Sequence, residues 1–143
     1  MEIQNQLLVH AVKAIAYRFS KATMGSKADF GNFAISTPAR TPNEIIRHMF
    51  DLAVKSRSLL TEGHFNVAYP NALDFEGERE RLLRGLEDLA TVLQLRAIDV
   101  DTSKKLLQGP ILDMTTHVGQ IAMLNGLHGN KIPGESYYDS VVE

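Results

Sequence analysis

TPNEIIRHMFDLAVKSRSLLTEG, residues 41–63, is the stretch whose reading decides the fold. Thr41 offers a side-chain oxygen for an N-cap, Pro42 stands at the first helical position, and Glu44 follows three residues after Thr41. This is a capping box with a proline at N1, which satisfies backbone donors that a helix start leaves orphaned. Ile45, Met49, Leu52, Ala53, Leu59 and Leu60 then recur at helical spacing. The segment predicts an amphipathic helix that fades near Glu62 and Gly63.

Three further helices follow on either side. Upstream, Leu7, Leu8, Ala11, Ile15, Ala16 and Phe19 mark a first helix from about Ile3 to Met24, with Gly25 as its stop. Between the two lies Gly25–Arg40, rich in Gly, Ser, Thr and Asn. It reads as a long loop, and loops of that length in compact domains are often functional. Downstream of a Pro- and Asn-containing connector (His64–Leu73), Leu82, Leu83, Leu86, Leu89, Val92 and Leu93 mark a third helix over roughly Phe75–Ala97. The charges at Glu76–Arg84 read as a solvated face. Ile98–Gly109 reads as a polar link with room for one helical turn. Pro110 is expected to open a fourth helix that runs to about Leu127 and stops between Gly126 and Gly129.

No stretch alternates as a strand does. Four long helices in 143 residues predict one all-α domain, a four-helix bundle over residues 1–143, with one long first loop and an irregular C-terminal tail. The first loop is long enough to serve as a crossover, so the order of the helices is left open. The tail, Asn130–Glu143, is expected to pack along the bundle or at a subunit interface. Its apolar residues Tyr137, Tyr138, Val141 and Val142 favour a homodimer.

Bulk composition narrows the chemistry. Fifteen basic residues against seventeen acidic ones leave a formal charge of -2, without the basic footprint that nucleic acid or anionic membranes attract. No apolar stretch reaches the length of about 20 residues that spans a bilayer. Glu2, Gln4 and Gln6 do not read as a signal peptide, so a cytoplasmic chain is expected. The absence of cysteine leaves only imidazole, carboxylate or water as metal ligands.

Three residues could form such a site. Asp113 and His117 are spaced i, i+4 and share one helix face. On the helical wheel His117 falls between Ile121 and Leu124, inside the apolar stripe, with Asp113 at its edge. His48 is flanked on its own helix by Ile45, Leu52 and Leu59. Two imidazoles and one carboxylate meeting in the bundle would hold a divalent metal and leave positions open for water or substrate. The same residues also fit a satisfied polar core, with Asp113 and His117 hydrogen-bonded to each other. Gln120, one turn past His117, fits either a supporting contact or a surface position, and so does Thr116. Phe30 and Phe33 fit a loop that caps a pocket mouth or an unstructured connection. His10, His64 and His128 read as surface or loop residues.

The segment Asp113-Met114-Thr115-Thr116-His117-Val118-Gly119-Gln120-Ile121 resembles the last-helix motif of the DinB-like family, small four-helix bundles related to bacterial thiol-dependent transferases. In that pattern a metal-binding histidine precedes a Gly-Gln-Ile/Leu step and another ligand lies four residues earlier. A further histidine stands near the start of helix two, after a capped start like Thr41-Pro42-Asn43-Glu44. His48 and His117 match, and Asp113 occupies a position where many members carry His. Ile132-Pro133-Gly134-Glu135-Ser136-Tyr137-Tyr138 resembles the tail of one branch. The resemblance implies a divalent metal (Zn, Ni, Fe or Mn) on His48, Asp113 and His117. It also implies transfer of a low-molecular-weight thiol to a small-molecule electrophile, or a related isomerisation. The competing expectation is a non-catalytic bundle, either a small-molecule binder or a dimeric scaffold, with no metal.

Overall fold

The computed structural model describes residues 1–143 and contains helices, turns and no strand. Four elements carry most of the fold: α1 (Ile3–Ala22), α2 (Pro42–Glu62), α3 (Phe75–Leu95) and a last helix built from α4 (Val100–Leu106), a π segment (Leu107–Ile111) and α5 (Leu112–Leu127). A 3₁₀ turn, Ala28–Asn32, interrupts the first loop.

The start of α2 is as expected. The Thr41 hydroxyl accepts from the Glu44 N–H, and the Glu44 carboxylate accepts from the Thr41 N–H. Gly63 ends the helix at φ +80°, a left-handed conformation that glycine adopts without a Cβ penalty.

The last helix differs from expectation. It starts at Val100, capped by Asp99, whose carboxylate accepts from the Thr102 N–H at 2.7 Å, rather than at Pro110. Pro110 lies inside it. A proline has no N–H for the helix ladder, and its ring crowds the carbonyl four residues back. The chain absorbs this with a widened π turn, while Leu106, Leu107, Ile111 and Leu112 all keep right-handed helical angles.

Side-chain ties give the direction of each helix. Asn5, near the start of α1, donates to the Leu93 and Arg96 carbonyls at the end of α3, both at 2.7 Å. Arg79, near the start of α3, reaches Thr23 just past α1. These two helices are therefore antiparallel. Gln4 reaches the Ile98 carbonyl and Asn125 the Ala22 carbonyl, so the last helix runs parallel to α1. Between α2 and α3 the pairs Arg47–Glu78 and Arg57–Asp88 advance together along both chains, which makes this pair parallel.

The bundle is thus up-down-down-up, with α1 and α2 on opposite corners. The crossover is the second connection, not the first loop. Its twelve residues, Gly63–Asp74, reach roughly 40 Å at about 3.3 Å each. The 21 residues of α2 span only about 31 Å, so an extended strap just suffices.

One contiguous core fills the bundle, with Phe19, Ile46, Met49, Leu82, Leu86, Leu89, Leu93, Met114 and Ile121 almost wholly buried. Leu7, read as part of the apolar stripe, is 66% exposed, and Leu8 and Val9 take the inward positions.

The charged start of α3 is not a uniformly solvated face. Glu78 is 0% exposed. Its carboxylate accepts from Arg47 at 2.6 and 2.8 Å, from Arg81 at 2.6 Å and from the Leu73 N–H at 3.0 Å. Burial of that charge is compensated by two guanidinium groups and a backbone donor, and the contact to Leu73 fastens the end of the strap.

The tail packs along α1. Arg18 lies 4.0 Å from the Tyr137 ring centroid, Tyr17 meets the same ring edge-on, and Glu135 joins Tyr17 and Lys21. Tyr138 and Val141 remain exposed.

Candidate functional site at the seam of α2 and α5

The antiparallel seam of α2 and α5 brings His48 and His117 together. Their ring centroids are 5.0 Å apart and the planes stand at 82°, edge to face. Both side chains are half-buried. Met49 below His48, and Met114 and Val118 beside His117, are buried, which holds the two histidines at the core's margin.

His117 Nδ1 lies 2.8 Å from the Gln120 side-chain oxygen. A carbonyl oxygen only accepts, so Nδ1 donates in this contact, and in the neutral ring Nε2 presents the lone pair. Gln120 therefore supports His117, and Asp113 is not its hydrogen-bond partner. Thr116 turns its hydroxyl back to the Leu112 carbonyl at 3.0 Å and takes no part.

The pKa of His48 is lowered. Burial is the main cause, followed by the positive charge of Arg40 and the proximity of His117; Asp51 and Asp113 oppose this more weakly. Burial disfavours the charged imidazolium, so the neutral, lone-pair-bearing form is favoured.

Asp113, one turn before His117, is exposed and borders a hollow of about 630 Å³. Leu52, Leu59, Leu60 and Phe65 form one side of this hollow, and Ile98, Leu106 and Pro110 form the other. A second hollow, about 290 Å³, is lined by His117 itself and bordered by Ile35, Ala39 and Arg40 of the first loop. The loop thus does flank the site. Phe30 and Phe33, however, are not at the mouth: Phe30 is fully buried against Phe75, and both rings pack on His128. His128, read as a surface residue, is half-buried there. A groove of about 810 Å³ lies between α1, α3 and the tail residues Val141 and Glu143 and contains no imidazole, so size alone does not mark the site.

Two imidazoles that share one ion must aim a nitrogen each at a common point about 2.1 Å away. Here two of the three expected donors stand side by side, edge to face. No group of three His, Cys, Asp or Glu side chains converges on a metal position.

Two residues near the seam were not singled out from the sequence. Asp51, one turn after His48, is 3% exposed; one oxygen pairs with Lys55 at 2.8 Å and the other has no hydrogen-bond partner. Arg40 immediately precedes the capped start of α2. The i, i+3 spacing of His48 and Asp51 was the available signal for the first, and proximity to the cap for the second.

No protein-family model, curated protein or solved structure matches the chain.

Proposed function

We propose that this protein is a divalent-metal-dependent enzyme acting on small molecules, of the kind the DinB-like resemblance implies, with His48, His117 and Asp113 as its metal ligands. The observation that carries this reading is the meeting of His48 and His117 across the α2–α5 seam. Two further features support it. Gln120 leaves His117 Nε2 as the free nitrogen, the way supporting hydrogen bonds fix a ligating tautomer. Burial favours neutral His48, the form that binds a metal.

Closing the donor set requires rotation of the two rings and of the exposed Asp113 side chain. A bound Zn, Ni, Fe or Mn ion would make a coordinated water or thiol more acidic. The chain's own contribution is to hold the imidazoles at the core margin, with one hollow against His117 and another against Asp113. Thiol transfer in the cytoplasm is the specific reaction this proposal adopts.

A second reading is a metal-free binding or scaffold bundle acting as a homodimer. The lack of a converged three-donor group favours it, as do the exposed apolar side chains Ile3, Leu7, Leu95 and Val100.

Metal content of untagged protein, alongside His48→Ala, Asp113→Ala and His117→Ala, separates the two. Near-stoichiometric metal that is lost in both histidine variants is the expected result. Wild-type protein that stays metal-free after incubation with Zn, Ni, Fe and Mn overturns the enzyme reading.

A further inference from the structure

The 290 Å³ hollow beside His117 has a divided lining. Ile35, Ile45, Met123 and Leu124 form an apolar wall. Arg40, His117 and Gln120 supply its polar lining, and no acidic side chain lines the space. Whereas Arg47 and Arg81 grip Glu78 and Arg79 grips Thr23, Arg40 makes no ion pair or side-chain hydrogen bond. The nearest acid on its own segment is Glu44, which is committed to the Thr41 N–H and hydroxyl. Gln120 spends its oxygen on His117, which leaves its amide N–H groups as donors.

Arg40 is also anchored at its backbone. It directly precedes Thr41, whose backbone N–H and hydroxyl are both held in the capping box. Its charge reaches His48, where it is the second-largest influence after burial. An unpaired guanidinium, an amide donor and an apolar wall therefore line one small hollow beside His117.

We infer that this hollow binds a small monoanionic carboxylate with a short apolar body, its carboxylate on Arg40 and Gln120 and its chain along Ile35, Ile45, Met123 and Leu124. A guanidinium fork matches a carboxylate in shape and charge. A single cation offsets one negative charge, which favours a monoanion over a dianionic phosphate. The volume lies at the small end for small-molecule sites, about 300–1,000 Å³. That this carboxylate is a reactant rests on the reading of His48 and His117 as the reacting centre; the anion site itself does not.

The test is a titration of ¹⁵N-labelled, metal-stripped protein with valerate and with its neutral isostere valeramide, followed by amide shifts. Valerate is expected to shift Ala39, Gln120 and Met123, and to bind about tenfold more tightly than valeramide, as a charge-assisted contact requires. Arg40→Gln should remove about that factor, and Arg40→Lys should retain part of it. Arg40 is exposed, so both variants should keep the wild-type circular dichroism. Equal binding of acid and amide, indifference to Arg40→Gln, or shifts confined to another surface would overturn the inference. Metal content measured on the same samples keeps the two claims apart. Arg40-dependent valerate binding in a protein that takes up no metal confirms the pocket and sinks the metal reading.

Discussion

Replacing Glu78 with alanine should be among the most damaging single changes to this protein. The carboxylate is 0% exposed and holds four contacts: two from Arg47, one from Arg81 and one from the Leu73 N–H. Removing one partner of a buried charge network typically costs about 3–5 kcal/mol, because the remaining charges lose their compensation. Arg47 and Arg81 keep about 15% side-chain exposure and can turn partly to water, so the lower end applies. A loss of about 3 kcal/mol is a large share of a total stability of roughly 5–15 kcal/mol. With a urea m-value of about 2 kcal/mol/M, the midpoint should fall by roughly 1.5 M. The companion Asp88→Ala removes the other α2–α3 ion pair, 3.7 Å long with partners 50% and 61% exposed. That pair should contribute well under 1 kcal/mol. Urea denaturation of both variants, with hydrogen exchange at Leu73, makes the comparison. If Glu78→Ala lowers the midpoint no more than Asp88→Ala does, the account of Glu78 as a buried anchor for the crossover is wrong.

Two further outcomes follow from local geometry. Gly85→Ala gains up to about 1 kcal/mol of helix propensity, but its Cβ would lie 2.8 Å from the Phe50 ring. Overpacking of that kind costs about 1–3 kcal/mol, so thermal denaturation should show a net loss, and a stabilised variant would contradict the close packing of α2 on α3. The pKa of Glu44 is lowered, first by the Thr41 N–H and then by its hydroxyl. The unfolded chain therefore binds more protons there, so this contribution is present above pH 4.5 and is lost as pH falls through the folded value. Glu44→Gln should flatten the acid side of the stability–pH curve, and an unchanged slope would remove Glu44 from that account.

Local rules were enough to locate most of the helices, because caps and apolar spacing are short-range signals. Thr41, Pro42 and Glu44 announced α2, and the leucines from Leu82 to Leu93 announced α3. Helix direction depends instead on distant pairings such as Arg57–Asp88, which no spacing within one helix reports. Gly109 and Pro110 look like a break between helices, and only tertiary packing carries the helix through them. Glu78 sits among Glu76, Arg79 and Glu80, and its burial shows only once α2 lies beside it. At the candidate site, wheel positions were sufficient to bring His48 and His117 to one seam. They placed Asp113 less well, since an edge position leaves the side chain free to face water. Arg40 and the buried Asp51 depend on loop course and side-chain contacts that periodicity does not encode.

The widened turn around Pro110 also determines how this protein can change. The i→i+5 turn takes up one residue more than a regular turn does, so the residues after it keep the phase of a helix one residue shorter. Each residue of a regular helix adds about 100° of rotation. A one-residue deletion between Leu107 and Ile111 would therefore restore regular winding and leave His117 facing His48, whereas a deletion between Leu112 and Thr116 would swing His117 by about that angle. This short segment therefore buffers the seam against a change in length. A one-residue deletion there is a change that a descendant of this chain could take up while keeping the same inward-facing set of residues.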